Sequence, residues 1–431
     1  MKKIILISLA IILFNGKAFS VPLSKALLQA YNENPVLNAE RENIQVSRED
    51  VKISRSEFLP SVTLSGSKSQ ENTEKLTDGT GANSSFTDVD PKTQSIDIEQ
   101  KLFQGFAGIA SMEKSKIGLT LAEAKLLKTE QEILYQAIEA YSGLVFSDEK
   151  LKINQDNVNL LKRQVETNQA RLERGQITIS DLAQSESSLA GAQAQFTQAK
   201  SDLLIAKLTY ENIIGNISDP NKLKKNSNAI VSIPKTLDEA INLSKQNNPD
   251  IKIAKFDLAQ SEKDLAISES DLMPTASLSL ERSYADDISS TIDEREKDVL
   301  KATVSWPFYS GGKKRSTIDK NSNLTNRKKL LLDDVVRTNQ TNVASAWSSL
   351  EASKGFLNSV KAQVRAAQIA NEGIAAEYER GSRTTLDVIQ SNSLLLSAQL
   401  SQVNSERNYL MAQYNLLKAV GLLNSQYLKL K

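Results

Sequence analysis

The sequence contains one 15-residue stretch twice: RLERGQITISDLAQS at residues 171–185 and EYERGSRTTLDVIQS at residues 377–391. Seven of the 15 positions are identical at an offset of 206 residues. In each copy a glycine follows a long amphipathic segment, and glycine past the last helical residue adopts the left-handed cap conformation at little cost. The Thr-x-x-Asp that follows is a shortened capping box, which starts the next helix. Each copy therefore predicts the tip of a helical hairpin, and we expect two such hairpins in tandem.

Proline landmarks extend this duplication to the whole chain. Pro35 and Pro249 are 214 residues apart, and so are Pro60 and Pro274. In both halves the pattern predicts a short helix, a second helix that is broken at a Leu-Pro or Met-Pro, strands, and then a long helical hairpin. The predicted organisation is a first repeat at residues 21–215, a connector at residues 216–235, a second repeat at residues 236–421 and a C-terminal tail at residues 422–431.

Strand signals follow Pro60 and Pro274. Apolar residues such as Val62 and Leu64 alternate with Thr and Ser, and this period of two predicts strands with one apolar and one polar face. We expect one β-hairpin at about residues 61–103, with a polar loop at residues 76–91, and another at about residues 275–308. Taken alone, these strands also fit a soluble α+β sheet with one solvated face.

The segments between the strands and the hairpin tips predict unusually long helices. Apolar and small residues recur every seven positions, for example at Leu151, Val158, Val165 and Leu172, and this spacing is typical of coiled coils. The helical pattern is uninterrupted from about residue 105 to residue 174. At ~1.5 Å per residue such a helix is on the order of 100 Å long. It has no globular core of its own, so we expect it to pack against similar helices.

The composition excludes several classes of function. Lys and Arg number 53 and Asp and Glu number 52, which leaves a formal net charge of +1 and argues against nucleic-acid binding. The chain has no Cys and no His, so it has no disulfide, no thiolate nucleophile and no histidine-based metal or acid–base site. It also lacks a nucleophile elbow and a phosphate-binding loop. We therefore predict that the protein is not an enzyme and needs no cofactor.

The N-terminus is typical of a secretory signal peptide. Two lysines precede an apolar run from Ile4 to Phe14, and Ala18 and Ser20 supply the small residues that a signal peptidase recognises. This run is too short to cross a bilayer as a helix. We predict a signal peptide at residues 1–20 and export from the cytoplasm.

These features together resemble the TolC family of outer-membrane channel-tunnel proteins. The resemblance covers essentially the whole mature chain and depends on the Asn-Asn-Pro at residues 247–249, the strand-preceding prolines, the Phe-Tyr-Ser-Gly-Gly at residues 308–312 and the two tips. It implies a mostly α fold in which three chains form a twelve-stranded β-barrel, with four strands per chain, in outer-membrane lipid and a coiled-coil α-barrel in the periplasm. It further implies a homotrimer with porin activity in efflux or type I protein secretion.

The resemblance also implies roles for residues at the tips. Asp181 matches an aspartate that bonds to a tyrosine and an arginine, here Tyr378 and Arg383, to hold the coils shut. Asp387 matches the first aspartate of a cation-sensitive ring, and Gln390 replaces the second, so blockade by cations is expected to be weaker. A periplasmic adaptor, which connects to an inner-membrane ABC or proton-driven transporter, is expected to dock on the tips. The docking candidates are Arg174, Gly175, Arg380 and Gly381.

Each of these residues also has a structural interpretation, and both interpretations stay open. Asp181 and Asp387 could simply start helices, Tyr378 could be coiled-coil packing, and Arg383 could be solvated in a polar turn. The glycines fit turn geometry as well as docking. Trp306, at a strand end, fits either the membrane interface or ordinary β-packing. At the level of the whole protein, a periplasmic adaptor is the competing hypothesis, because adaptors also carry coiled-coil hairpins.

Overall fold

A computed structural model describes residues 22–77, 80, 84–216, 223, 225, 229, 231–289 and 292–430. The predicted signal peptide at residues 1–20 and parts of the predicted connector lie outside the described residues. The described helices are α1 (Leu23–Glu33), α2 (Pro35–Ser56), α3 (Ala107–Glu173), α4 (Ile179–Ile213), α5 (Leu237–Asn247), α6 (Pro249–Ser270), α7 (Lys313–Glu379) and α8 (Thr385–Val420). The predicted long helices are confirmed, since α3 and α7 each contain 67 residues. Within the described residues, none of the helices is both long enough and apolar enough to cross a bilayer.

The repeated Asn-Pro sites start helices in both halves. The side chain of Asn248 caps α6 by accepting hydrogen bonds from the backbone N–H groups of the second and third residues after it, at 2.9 and 3.3 Å. Asn34 does the same for α2, at 3.0 and 3.3 Å. The proline in the first helical position needs no hydrogen-bond partner for its nitrogen. The duplication is thus expressed as the same local structure in both halves.

The strands are β1 (Ser61–Lys68), β2 (Glu71–Thr77), β3 (Ser84–Val89), β4 (Lys92–Gln104), β5 (Thr275–Ser289) and β6 (Ile292–Ser305). They form an antiparallel sheet in the order β1-β4-β5-β6 and a separate β2–β3 pair. The loop predicted at residues 76–91 is wrong in part, because the end of β2 and all of β3 occupy it. The segment pairs with itself, which satisfies its backbone N–H and C=O groups despite its polar sequence.

The four-stranded sheet carries apolar residues on one face where the predicted alternation of its strands is regular. Its register aligns Val62 with Ile98, Ile98 with Leu280 and Leu280 with Leu300, so one apolar row crosses all four strands. The two ends of this row are open, since Val62 is 66% exposed and Leu300 is 70% exposed. On the opposite face, the neighbouring row is polar on three strands, at Thr63, Asp97 and Glu281. A single chain therefore leaves the apolar face of this sheet uncovered.

The chain divides into two compact units, each of which draws segments from both sequence repeats. One unit consists of the described parts of residues 1–38, 129–247 and 340–431, and its core includes the fully buried Tyr141 and Tyr414. Leu423 and Leu428 belong to the same core, so the predicted tail is a packed segment. The division into sequence repeats, connector and tail remains a prediction.

The second unit consists of residues 39–128 and 248–339 and contains the four-stranded sheet. Ion pairs join its helices laterally. Lys114 and Asp264 lie 2.5 Å apart, and Lys328 and Asp257 lie 2.8 Å apart. All four side chains are partly solvated, so each pair contributes little stability and chiefly fixes helix register.

Candidate functional site at the hairpin tips

The first tip begins where α3 ends, at Glu173. The N–H of Gly175 donates to the carbonyl of Leu172 at 2.8 Å, and the N–H of Gln176 donates to the carbonyl of Arg171 at 2.9 Å. Gly175 has a φ of +69°, and a Cβ placed on it would meet no atom within 4 Å. Glycine is therefore required here by the backbone conformation and not by crowding. The predicted left-handed cap is confirmed.

The second tip has the same backbone. The N–H of Gly381 donates to the carbonyl of Tyr378 at 3.0 Å, and the N–H of Ser382 donates to the carbonyl of Glu377 at 3.0 Å. Gly381 has a φ of +81°, again with free space around its Cα. Arg174 and Arg380, the predicted docking arginines, are exposed immediately before the two glycines.

Both tips end in a complete capping box. The hydroxyl of Thr178 accepts from the backbone N–H of Asp181 at 3.2 Å, while the carboxylate of Asp181 accepts from the backbone N–H of Thr178 at 3.0 Å. Thr384 and Asp387 repeat this arrangement at 3.2 and 2.9 Å. The structural interpretation of both aspartates is therefore confirmed: each one starts a helix.

The capping boxes also stabilise the charged form of the two carboxylates. Hydrogen bonds to Asp181 from the backbone N–H of Thr178, and then from its hydroxyl, lower the pKa of the Asp181 carboxyl. The same two bonds from Thr384 lower the pKa of Asp387, and the nearby Arg383 lowers it further. Both groups thus carry a full negative charge at neutral pH. Asp387 and the exposed Gln390 are three residues apart on α8, within one helical turn.

The described residues give Tyr378 and Arg383 partners other than Asp181. The hydroxyl of Tyr378, which is 6% exposed, donates to Oδ1 of Asn168 on α3 at 2.7 Å. Nε of Arg383 donates to Oε2 of Glu377 at 2.7 Å, and this bond raises the pKa of the guanidinium. In a single chain, therefore, the predicted bonds from Asp181 to these residues are not formed. Bonds between tips of different copies stay a prediction.

Asn168 lies at the centre of a buried polar cluster. Its amide Nδ2 donates to Oγ of Ser185 on α4 at 2.6 Å, and both residues are 0% exposed. The guanidinium of Arg171 stacks over the ring of Tyr378 at 4.2 Å. Asn168 lies in a heptad row, and the sequence predicted no role for it. The signal that could have found it is the recurrence of asparagine in one heptad row, at Asn154 and Asn168, because coiled-coil core positions are normally apolar.

The remaining predicted residue, Trp306, follows β6 in the second compact unit. Its ring is 65% exposed and lies edge-on to Phe308, with ring centroids 6.4 Å apart. Its indole N–H donates to the carbonyl of Leu272 at 3.1 Å. An aromatic ring that is exposed but has its polar atom satisfied fits a membrane interface.

In the part of the chain that the structure describes, no group of three or more acidic residues is close enough together to hold a metal ion. The carboxylate of Asp387 could meet other carboxylates only across an axis that relates several copies of the chain.

Comparisons with known proteins agree with this architecture. Residues 26–216 and 240–422 match the family described as outer membrane efflux protein. The outer membrane efflux protein BepC of Brucella suis biovar 1 is 28% identical over 421 residues, covering 97% of this chain and 90% of BepC. The outer membrane protein TolC of Escherichia coli K12 is 22% identical over 442 residues, covering 99% and 88% of the two chains. The solved structure of the outer-membrane channel OprN superposes with a TM-score of 0.79 at 19% identity, covering 93% and 89% of the two chains.

Proposed function

Because this chain belongs to the outer membrane efflux protein family, we propose that it forms the exit duct of a tripartite efflux or type I secretion system. The protein is located in the outer membrane, and the members of its family are transport channels and not enzymes. In the proposed role the duct is passive. An inner-membrane ABC or proton-driven transporter supplies the energy, and the duct carries the substrate across the periplasm and the outer membrane.

The observation that carries the proposal is the apolar row that crosses all four strands and stays uncovered. A sheet in contact with lipid must close, because an open edge would leave backbone N–H and C=O groups unpaired in hydrocarbon. The strand order leaves β1 and β6 as free edges. Pairing β6 of one copy with β1 of the next would close three copies into a barrel of twelve strands. The apolar row would then face lipid, with Trp306 at the interface.

The tips supply the second part of the proposal, which is a gate. Three copies would bring three Asp387 carboxylates together around one axis, and rings of this kind select and bind cations. Asp181 of one tip would bond to Arg383 of a neighbouring copy in the closed state. The exposed Arg174 and Arg380, with the glycines that follow them, would receive a periplasmic adaptor.

Purified trimers in planar lipid bilayers test this proposal. We expect discrete conductance steps from the wild-type protein and larger resting conductance from Asp181→Ala and Arg383→Ser. Thr178→Ala is the matched control, since it breaks the same capping box but leaves the Asp181 carboxylate in place, and its conductance should equal that of the wild type. Correctly folded trimers without any conductance would contradict the duct. Unchanged conductance in both gate variants would contradict the gate alone.

A further inference from the structure

One chain of hydrogen bonds connects all four helices at the tips within a single copy. The hydroxyl of Tyr378 on α7 donates its proton to Asn168 on α3, so the hydroxyl of Thr385 on α8, at 3.3 Å, must donate to the phenol oxygen. The amide of Asn168 donates to Ser185 on α4, and the hydroxyl of Ser185 donates to the backbone carbonyl of Asp181 at 3.0 Å. The donors thus run in one direction, from α8 through α7 and α3 to α4.

Burial makes these hydrogen bonds costly to break. Thr385 is 3% exposed, and the three other side chains that these hydrogen bonds connect, Tyr378, Asn168 and Ser185, are at most 6% exposed. A buried donor or acceptor that loses its partner cannot find a water molecule to replace it, so each link resists being opened. Movement of α7 away from α3 would break the bond between Tyr378 and Asn168 and would leave both groups under-satisfied. Gln164, at 3.4 Å from Oδ1 of Asn168, offers only a longer bond.

The second hairpin contains a comparable asparagine with a different connection. Nδ2 of Asn371 on α7 donates to Ser391 at 3.2 Å and to Asn392 at 2.6 Å, both on α8. Ser391 is the repeat equivalent of Ser185. Within the described residues, the side chain of Asn371 therefore bonds only inside its own hairpin. Asn168 bonds inside its own hairpin and also to the other one.

We propose that Asn168 is a positioning residue of the gate, which holds α7 against α3 through Tyr378 and so sets the resting position of the second tip. Arg383 and Asp387 lie five and nine residues beyond Tyr378, so a shift of α7 at this point moves both of them. This inference rests on the proposed function, because it assigns the resting state of the same duct to an additional residue. The acceptor for Tyr378 is then a neutral amide inside the copy, so this link is separate from the proposed bond between Asp181 and Arg383 of neighbouring copies.

The test compares Asn168→Leu with Asn371→Leu in planar bilayers. Leucine is favoured at the core positions of coiled coils, so both variants should keep the coiled coil and its heat-resistant trimers. We expect Asn168→Leu to raise the time spent in the open state by about fivefold, as the loss of the buried hydrogen bond to Tyr378 implies, because that bond is the one that joins α7 to α3 here. Asn371→Leu makes the same chemical change without touching the link between hairpins, and it should match the wild type. Equal behaviour of the two variants would overturn the proposal.

A double-mutant cycle distinguishes loss of the bond between Tyr378 and Asn168 from a general destabilisation of the coiled coil. Tyr378→Phe removes one hydroxyl and should open the channel about as much as Asn168→Leu. The double variant should open no further, because both changes break the same bond between the hairpins. Tyr378→Phe combined with Asp181→Ala should instead be additive. Additive effects of Asn168→Leu and Tyr378→Phe would overturn the inference, as would a Tyr378→Phe channel with wild-type gating. If gating responds to Arg383→Ser but not to Asn168→Leu, the inference fails and the proposed duct stands. A wild-type trimer that conducts nothing would show that the duct itself has failed.

Discussion

The two hairpin tips have the same backbone and different side-chain connections. Gly175 and Gly381 take φ values of +69° and +81°, and the capping carboxylates of Asp181 and Asp387 accept the backbone hydrogen bond of the N-cap at 3.0 and 2.9 Å. The repeated residues therefore reproduce the local structure almost without change. This agreement follows from short-range physics, since each motif satisfies its own backbone groups.

The connections differ because the side chains between the repeated residues differ. The second tip has a tyrosine and an arginine where the first has a leucine and an isoleucine. The tyrosine bonds to Asn168 of the other hairpin, and the arginine bonds to Glu377 within its own tip. The non-identical pairs that matter are Arg171 and Glu377, Leu172 and Tyr378, Ile177 and Arg383, and Ile179 and Thr385. The residues that are identical in the two copies therefore determine the backbone of each tip, while the residues that differ determine how the two hairpins are linked.

The largest expected effect concerns Gln390, which lies one turn after Asp387 on α8. Gln390→Asp would add three carboxylates near the proposed axis of the trimer. A divalent cation about 8 Å from each added carboxylate gains roughly 1 kcal/mol per carboxylate in a water-like dielectric, so it should block the channel about a hundredfold more tightly. The measurement is the concentration of divalent cation that halves single-channel conductance.

Gln184→Asp is the matched control for that experiment. Gln184 stands at the equivalent position of the first tip and is exposed, like Gln390. If only the second tip faces the axis, Gln184→Asp should change the blocking concentration much less. Equal tightening by the two variants would mean that the two tips are equivalent in the trimer, and the proposed distinction between them would be wrong.

Much of the fold could be predicted because its signals are local. The glycines and Thr-x-x-Asp motifs of the tips, the Asn-Pro helix starts and the alternation around Val62 each describe a few neighbouring residues that satisfy one another. The β2–β3 pair could not be predicted in the same way. Its polar sequence at residues 71–89 has no clear period of two, and it pairs because its backbone groups need partners.

The site could be predicted only in part, because its connections are long-range. Asn168 and Tyr378 are 210 residues apart in the chain, and no spacing rule connects them. The family resemblance predicted a role for Tyr378, but with Asp181 as its hydrogen-bond partner. The partner in this chain is set by the relative register of α3 and α7, which places the amide of Asn168 opposite the phenol. Register of this kind depends on packing along the whole helix.

A smaller effect should be the same at both tips. Gly175→Ala and Gly381→Ala each force an L-residue into the left-handed region, at a cost of about 1–2 kcal/mol. No atom lies within 4 Å of the added methyl group at either position, so backbone strain is the whole cost. Amide exchange at residues 172–178 and 378–384 should accelerate by roughly fivefold to thirtyfold in the corresponding variant. A clearly larger change at one tip would show that the glycine there has a second role.

The smallest expected effect is the loss of the two helix caps in acid, which can be measured separately at each tip. Hydrogen bonds from the N-cap threonines lower the pKa of both Asp181 and Asp387 from the usual value of 3.8. A lowered folded-state pKa means that each cap keeps its full stabilising effect above pH 3.8 and loses it as the pH falls through the folded value. Protection of the first turns of α4 and α8 against amide exchange should thus be constant from pH 8 to pH 5 and decline in stronger acid.

In the trimer the two caps should lose protection at different pH values, because only Asp387 is proposed to belong to a ring of carboxylates. Three Asp387 carboxylates around one axis repel one another, which opposes the lowering of their pKa, whereas Asp181 has no such neighbours. Each Asp387 would face two like charges and one Arg383, which lowers its pKa, so the repulsion should prevail. The cap of α8 should therefore lose protection at a higher pH than the cap of α4 in the same sample, where the intrinsic exchange rates cancel in the ratio. Asp181→Asn should remove the acid response of α4 alone. Coincident midpoints for the two helices would exclude the carboxylate ring while leaving both capping boxes, and the fold they define, in place.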